Sequence, residues 1–413
     1  MQKLIKWYSC LNIYYQLLPF LFLYAIIVIL FPKDINASDQ ERYLRFAYNL
    51  LNGFYSTPYP NVDLWSGPGY SIFLAPFIFF KFPFFALRLL NALLIYFSLI
   101  LTYKTIITYS PPKSAYFFTI LLGAFFPIYE SVRQVMTESL AWFQISLICF
   151  LFVKCFQRKN ISWMLICLTS LAIAYLAFVK VIFGYVIISM LFISISIWVL
   201  SAFRSIAKRS IIIFLLSFIF CLPWLFYTYS LTNKAFYWSN SGSMSLYTMS
   251  TPFAEETGQW YQESELLKNP NHSLFIDSIL KLTSLQRDEA YKEAAIRNIK
   301  KYPLKYLTNC ISNTGRLLFF PSDYAPDSLL SYYPFIPNMF IVVFIVLSIL
   351  VSLSTIKKIP KELIFLFLFI FIYLAGSILL STYRRMFHIT MPFWFLYFSY
   401  FFNNIVSFKF IKN

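Results

Sequence analysis

Acidic side chains are scarce in this chain. It carries 17 Asp and Glu against 34 Lys and Arg over 413 residues, and charged residues of both signs make up only 12% of the whole. A soluble globular protein carries about 25%, so a conventional water-facing surface is excluded. Histidine is scarcer still. His272 and His388 are the only two, too few for a histidine-rich metal site. Five cysteines (Cys10, Cys149, Cys155, Cys167 and Cys221) fall in or beside apolar runs, and Cys310 stands alone in a polar loop. That spacing gives neither a metal-binding motif nor a disulfide framework. The chain has no internal repeat, so the inverted-repeat transporters find no support. Met1 to Trp7 carries Lys3 and Lys6 ahead of a long apolar run with no small-residue cleavage site. This predicts a retained first helix and not a cleaved signal peptide.

Apolar residues are what the chain has in abundance: 59% hydrophobic, 22% aromatic. Runs near the ~20 residues needed to cross a bilayer recur along its length, without the two-residue alternation of a transmembrane barrel. The expected fold class is all-α: a polytopic membrane protein with about ten transmembrane helices, surface helices in the first outer loop, and a small helical outer subdomain. The spans fall near 12–32, 84–103, 114–129, 138–156, 161–179, 182–201, 211–229, 336–355, 362–381 and 387–406. A net charge of +17 fits nucleic-acid binding only until the charges are mapped. Lys104 and Lys113, Lys154 and Arg158, Arg204, Lys208 and Arg209, and Lys357, Lys358 and Lys361 lie in alternate short loops. The positive-inside rule makes those loops and both termini cytoplasmic, with lipid and not nucleic acid as the partner. Glu362 is the only acid on that side; every other Asp and Glu falls in a segment placed outside.

Three regions follow. Residues 1–230 form an N-terminal transmembrane module that includes a first outer loop at 33–83; residues 231–333 form an outer loop subdomain; residues 334–413 hold the C-terminal transmembrane helices. In the first loop, 38–52 reads as a surface helix with Ser38 and Glu41 at capping-box spacing, and Tyr70 to Phe80 is apolar but too short to cross. In the second, Ser239 to Ser245 reads as a mobile polar stretch. Thr283 and Gln286 form a second capping box that opens a helix over 284–301, and Pro303 begins another that reaches Phe320.

The stretch after the first span reads D-x-x-R-Y-x-x-x-A-x-x-L-L-x-G from Asp39 through Arg42, Tyr43, Ala47, Leu50, Leu51 and Gly53, followed by Gly67-Pro68-Gly69-Tyr70. It resembles the first outer loop of the GT-C superfamily of membrane glycosyltransferases. Within that superfamily it is most similar to glycosyltransferase family 39, the branch of protein O-mannosyltransferases and lipid A aminoarabinose transferases. That branch usually has D-E-x-R-Y, and here Gln40 stands in place of the Glu. The likeness extends to Arg88 and Asn91, to Glu138, and to Tyr383-Arg384-Arg385 ahead of Pro392. It implies an inverting transfer of one sugar from a polyprenyl-phosphate donor to a lipid, glycan or protein acceptor outside the membrane. It also implies a second acid at Glu138 that places the acceptor or a divalent metal, and a late arginine on the donor phosphate.

The residues support the same chemistry. Phosphate is a weak base and leaves readily, so the reaction needs a base for the acceptor hydroxyl. Asp39 at the outer boundary is the candidate, its basicity raised there by partial desolvation. Asp34 lies closer to the span but lacks the pattern that follows Asp39. Glu138 opens an apolar span, where an acid faces a polar cavity or pairs with Arg133. Cations for the phosphate are Lys81, Arg88, Arg133, Lys180, Arg384 and Arg385, the last two foremost, since an arginine grips phosphate oxygens bidentately. Arg42, Tyr43, Tyr70 and Arg133 are candidate substrate contacts, and Trp65 and Trp260 candidate sugar-stacking faces. The bias to Ile, Lys, Asn and Phe points to a bacterial inner membrane, with the site on its periplasmic or extracellular face. Two alternatives remain. A flippase of lipid-linked saccharides would place charge at the midplane. An O-antigen polymerase or ligase would rely on loop arginines such as Arg287, Arg297 and Arg316.

Overall fold

The computed structural model describes residues 11–33, 38–158, 160, 162–200, 204–319 and 335–406. Every regular element among them is helical. The chain runs through α1 (Ile13–Leu30), α2 (Ser38–Leu51), α3 (Gly69–Phe79), α4 (Phe84–Ile106), α5 (Pro112–Gly123), α6 (Ile128–Val132), α7 (Thr137–Gln157), α8 (Trp163–Val179), α9 (Ile182–Leu200) and α10 (Arg204–Thr232). It continues through α11 (Ser241–Met249), α12 (Glu263–Lys268), α13 (Ser273–Ile279), α14 (Ser284–Lys301), α15 (Pro303–Phe319), α16 (Phe335–Ser354), α17 (Lys361–Ile378), α18 (Arg385–His388) and α19 (Met391–Asn404).

Seven of these helices are long and apolar enough to cross a membrane: α1, α4, α7, α9, α10, α16 and α17. The other three expected spans correspond to shorter helices, α5 of 12 residues, α8 of 17 and α19 of 14. Over 114–129 the helix stops at Gly123, and Pro127 bars its continuation because it has no N–H to donate. Polar residues survive in the apolar helices by bonding within them. Thr119 donates to the Ala115 carbonyl, Thr169 to Leu165 and Ser194 to Met190, which answers the demand that every polar group in lipid find an internal partner.

The bundle is built in sequence order. Helix α4 packs between α1 and α7, α7 against α8, and α8 and α9 both against α10. Helix α19 is buried along its whole run from Met391 to Phe401, as a helix apolar all round must be. It touches α4, α5, α7, α16 and α17 and so forms the centre of the assembly.

Helix α2 is amphipathic, buries Leu44, Phe46 and Ala47, and packs on α3, which in turn packs on α8. A second, smaller core forms between α11 and α14 around Met244, Tyr247, Leu266, Ile276 and Tyr291. The Thr283 capping box is present: Gln286 N–H donates to Thr283 Oγ1 at 3.4 Å and Thr283 N–H to Gln286 Oε1 at 3.0 Å. The mobile reading of Ser239 to Ser245 is corrected. Ser241 begins α11, and Met244 and Tyr247 anchor it in the second core. Asp34 and the side chain of Ser38 lie outside the described residues.

Candidate active site

The starts of α2, α7 and α18 and the end of α8 converge on one cluster of charges. Asp39, in the first turn of α2, accepts from Arg42 Nη1 at 3.0 Å and from Arg385 Nη2 at 3.0 Å. Glu138, in the first turn of α7, accepts from Lys180 Nζ at 2.8 Å, and Arg385 Nε lies 3.7 Å from the same oxygen. Arg385 therefore stands between both candidate carboxylates, one of them 346 positions away in sequence. Exposure differs sharply across the cluster. Lys180 and Glu138 are 9% and 3% exposed, while Asp39 and Arg385 are 29% and 31% exposed. The mouth is therefore Asp39 and Arg385, and the floor is the buried pair.

Aromatic rings hold the two guanidiniums. Arg42 lies 5.0 Å over the ring of Trp65, and Arg385 lies 5.5 Å over Tyr383. Trp65 packs on the second core, and Trp260 meets Tyr383 edge-on at 6.4 Å. Tyr43 meets Tyr70 edge-on at 5.1 Å. Burial, then the neighbouring charges of Asp39 and Glu138, push the Tyr43 phenol up, so it stays protonated.

Burial alone would raise the Asp39 carboxyl, as expected from its place at the boundary. Arg385 and then Arg42 outweigh that effect and hold it below the usual carboxylate range. The expectation of raised basicity is thus reversed while Arg385 stays in contact.

Two buried amides, Gln40 on α2 and Asn91 on α4, tie their helices to the residues just ahead of α7. Gln40 is fully buried, and its Oε1 accepts the Val135 N–H at 2.9 Å. Asn91 donates to the Gln134 carbonyl at 2.6 Å. Both hold the loop that delivers Glu138. The glycines of Gly67-Pro68-Gly69 have an equally local reason. A Cβ on Gly67 would sit 2.3 Å from the Phe178 carbonyl oxygen, and one on Gly69 would sit 2.6 Å from the Val179 nitrogen. Only glycine lets this loop press on the end of α8, one residue before Lys180. Gly69→Ala should therefore lower stability by about 1–3 kcal/mol, the usual range for overpacking; thermal unfolding in detergent checks it.

The remaining expected cations separate. Arg384 pairs with Glu130 at 2.7 Å, beside the main cluster. Arg88 donates from Nη2 to the Lys33 carbonyl at 2.6 Å, and Arg133 from Nε to the Phe31 carbonyl. These two oxygens lie just past the last turn of α1, where helix carbonyls lack intrahelical partners. The alternative pairing of Glu138 with Arg133 is therefore replaced by Glu138 with Lys180. Lys81 stands exposed at positive φ on the turn between α3 and α4.

Lys33 was not among the expected cations. It is half-buried, its ammonium acidified first by burial and partly restored by Glu130, with Arg133, Arg385 and Arg384 also near. In the sequence it looks like any lysine flanking a span.

Beside Glu130 opens a cleft of about 280 Å³, lined by Ile27, Phe31, Phe126, Tyr129, Glu130 and Arg133. Among the described residues no three His, Cys, Asp or Glu side chains gather as they would to hold a metal ion. The carboxylates face cations instead. No protein-family model, no curated protein and no solved structure matches the chain.

Proposed function

We propose that the chain is an inverting glycosyltransferase with about ten membrane crossings. It moves a sugar from a polyprenyl-phosphate donor to a lipid, glycan or protein acceptor at the outer face of a bacterial inner membrane. The observation that carries this reading is the sharing of Arg385 by Asp39 and Glu138 at the mouth of the charged cluster. An arginine bound to a carboxylate is a cation that a phosphate can recruit, because the two anions present similar oxygen pairs. When the donor phosphate takes Arg385, Asp39 loses its strongest cation and regains basicity. Donor binding thereby arms the base.

The step then balances. Asp39 takes the acceptor O–H proton, the acceptor oxygen bonds to the anomeric carbon, and the bond from that carbon to the phosphate oxygen breaks. The polyprenyl phosphate leaves with the electron pair. Glu138, held by Lys180, keeps Arg385 within reach. The apolar cleft beside Glu130 and Arg384 suits a prenyl chain whose phosphate reaches that region.

The three loop arginines have partners in the same stretch of chain: Arg287 pairs with Glu263 at 3.1 Å, Arg297 with Glu293 at 3.9 Å, and Arg316 bonds Thr257 and Asn313. Arg385→Gln should weaken binding of a short-chain polyprenyl phosphate about 10- to 100-fold, in line with about 1.5–3 kcal/mol for a charged hydrogen bond. Arg384→Gln should weaken it less. Titration calorimetry in detergent checks both, and unchanged affinity in Arg385→Gln would move the phosphate to Lys180 or Lys33.

A further inference from the structure

Helix α15 has its polarity reversed. Leu304, Leu307 and Ile311 are 78%, 57% and 68% exposed. Thr308 and Gly315 continue the same exposed stripe at helical spacing. Asn309 and Asn313, on the opposite face, are fully buried. Asn309 donates to the Met249 and Thr251 carbonyls at 3.0 and 3.1 Å, and Asn313 to the Ile378 carbonyl at 2.9 Å. A helix on a water-facing surface shows the opposite arrangement.

The helix also sits at a defined depth. Tyr306 donates to the Leu379 carbonyl at 2.8 Å, at the end of α17, and Asn338 in the first turn of α16 donates to the Leu318 carbonyl at 2.8 Å. Both partner helices are among those that can cross a membrane, and α15 lies against the ends of both. Helix α16 packs on α15, with Phe319 at the end of α15 meeting Phe335 at 6.0 Å, and α16 presents its own exposed apolar residues Phe335, Ile336, Phe340 and Val343. At the other end of α15, Lys300 and Lys301 are exposed, and Lys301 lies 5.2 Å over the Tyr302 ring.

We propose that α15 lies in the plane of the bilayer surface and seats the outer subdomain on lipid through Leu304, Leu307, Ile311 and Gly315, with Lys300 and Lys301 at the phosphate headgroups. Continuity with the apolar face of α16 selects the occupant: one lipid surface covers both. The lysines at one end and the leucines along the side match an interfacial helix, with the lysine stems reaching up to the headgroups. The inference depends on the membrane crossing and not on glycosyl transfer, so the two readings fail separately.

Spin labels at Leu307→Cys, Ile311→Cys and Gly315→Cys test it, with Lys292→Cys as the water-facing control, all on a Cys167→Ser background. A Cβ at Gly315 meets nothing within 4 Å, and the Lys292 side chain is 53% exposed. The protein is placed in nanodiscs of phosphatidylethanolamine and phosphatidylglycerol. The expected result is that the three stripe labels collide more with oxygen than with a nickel chelate, and the control the reverse. Chelate access equal to the control would place the stripe in water and overturn the proposal. Low access to both reagents would assign the face to a second protein chain and overturn it equally.

Discussion

Asp39→Asn should cut turnover about 10²–10⁴-fold, the usual loss when a general base is removed, with little change in stability. The amide keeps the shape and one acceptor oxygen, and the side chain is already 29% exposed, so no buried charge is stranded. The measurement is turnover with a polyprenyl-linked donor, alongside thermal unfolding in detergent. Full activity in Asp39→Asn together with a dead Glu138→Gln would exchange the roles of the two acids. Full activity in both would remove the enzyme reading and favour passage of a lipid-linked saccharide. The pH dependence has a definite sign. Because Arg385 and Arg42 depress the Asp39 carboxyl despite its burial, the base stays ionised through the neutral range. Its ion-pair stabilisation is present above the ordinary carboxyl pKa and is lost only as pH falls through the depressed value.

Breaking the floor of the site should do the opposite: large damage to stability. Glu138 and Lys180 are both nearly fully buried and 2.8 Å apart. Removing Lys180 takes away the nearer cation and leaves Glu138 only Arg385 Nε at 3.7 Å, so the loss approaches the about 3–5 kcal/mol of a buried charge left unpaired. Lys180→Met alone should therefore lower the unfolding transition strongly. Adding Glu138→Gln should recover much of the loss, because a neutral pair of similar volume is often as stable as the ion pair it replaces. The double variant should fold yet stay impaired in turnover, since Arg385 then lacks the carboxylate that holds its Nε. A double variant no more stable than Lys180→Met would show that the pair is not coupled in this way.

Much of this was legible in the sequence, and the parts that were not share a cause. Composition and run length gave the helical membrane class, and the Thr283 box gave α14 with both ends correct, because caps and apolar periodicity are local. The pairing of Asp39 with Arg42, three residues apart, is just as local, yet the sequence reading offered Arg42 only as a substrate contact. Arg385 reaches the same carboxylate across 346 positions, and sequence could offer it only by family likeness. The surroundings of Arg88 and Arg133 were illegible for a related reason. Their partners are backbone carbonyls beyond the end of α1, and a carbonyl has no letter in a sequence. Run length misjudged α5 because Pro127 stops the helix inside an apolar run. Polarity misjudged Ser241 to Ser245, where Met244 supplies the anchor that the serines lack.

On the proposed glycosyl transfer, the sharing of Arg385 bears on how the product leaves. Asp39 and Glu138 face Arg42, Arg385 and Lys180: two negative charges against three positive, leaving one positive charge over. A donor phosphodiester carries a single negative charge and brings this set to neutrality. The monoester that departs after transfer carries about 1.5 to 2 negative charges at neutral pH, and it leaves the site with more anion than cation. On the proposed reaction these five groups alone match the donor's single charge better than the product's, and the product's additional charge would fall to Lys33 and Arg133 nearby.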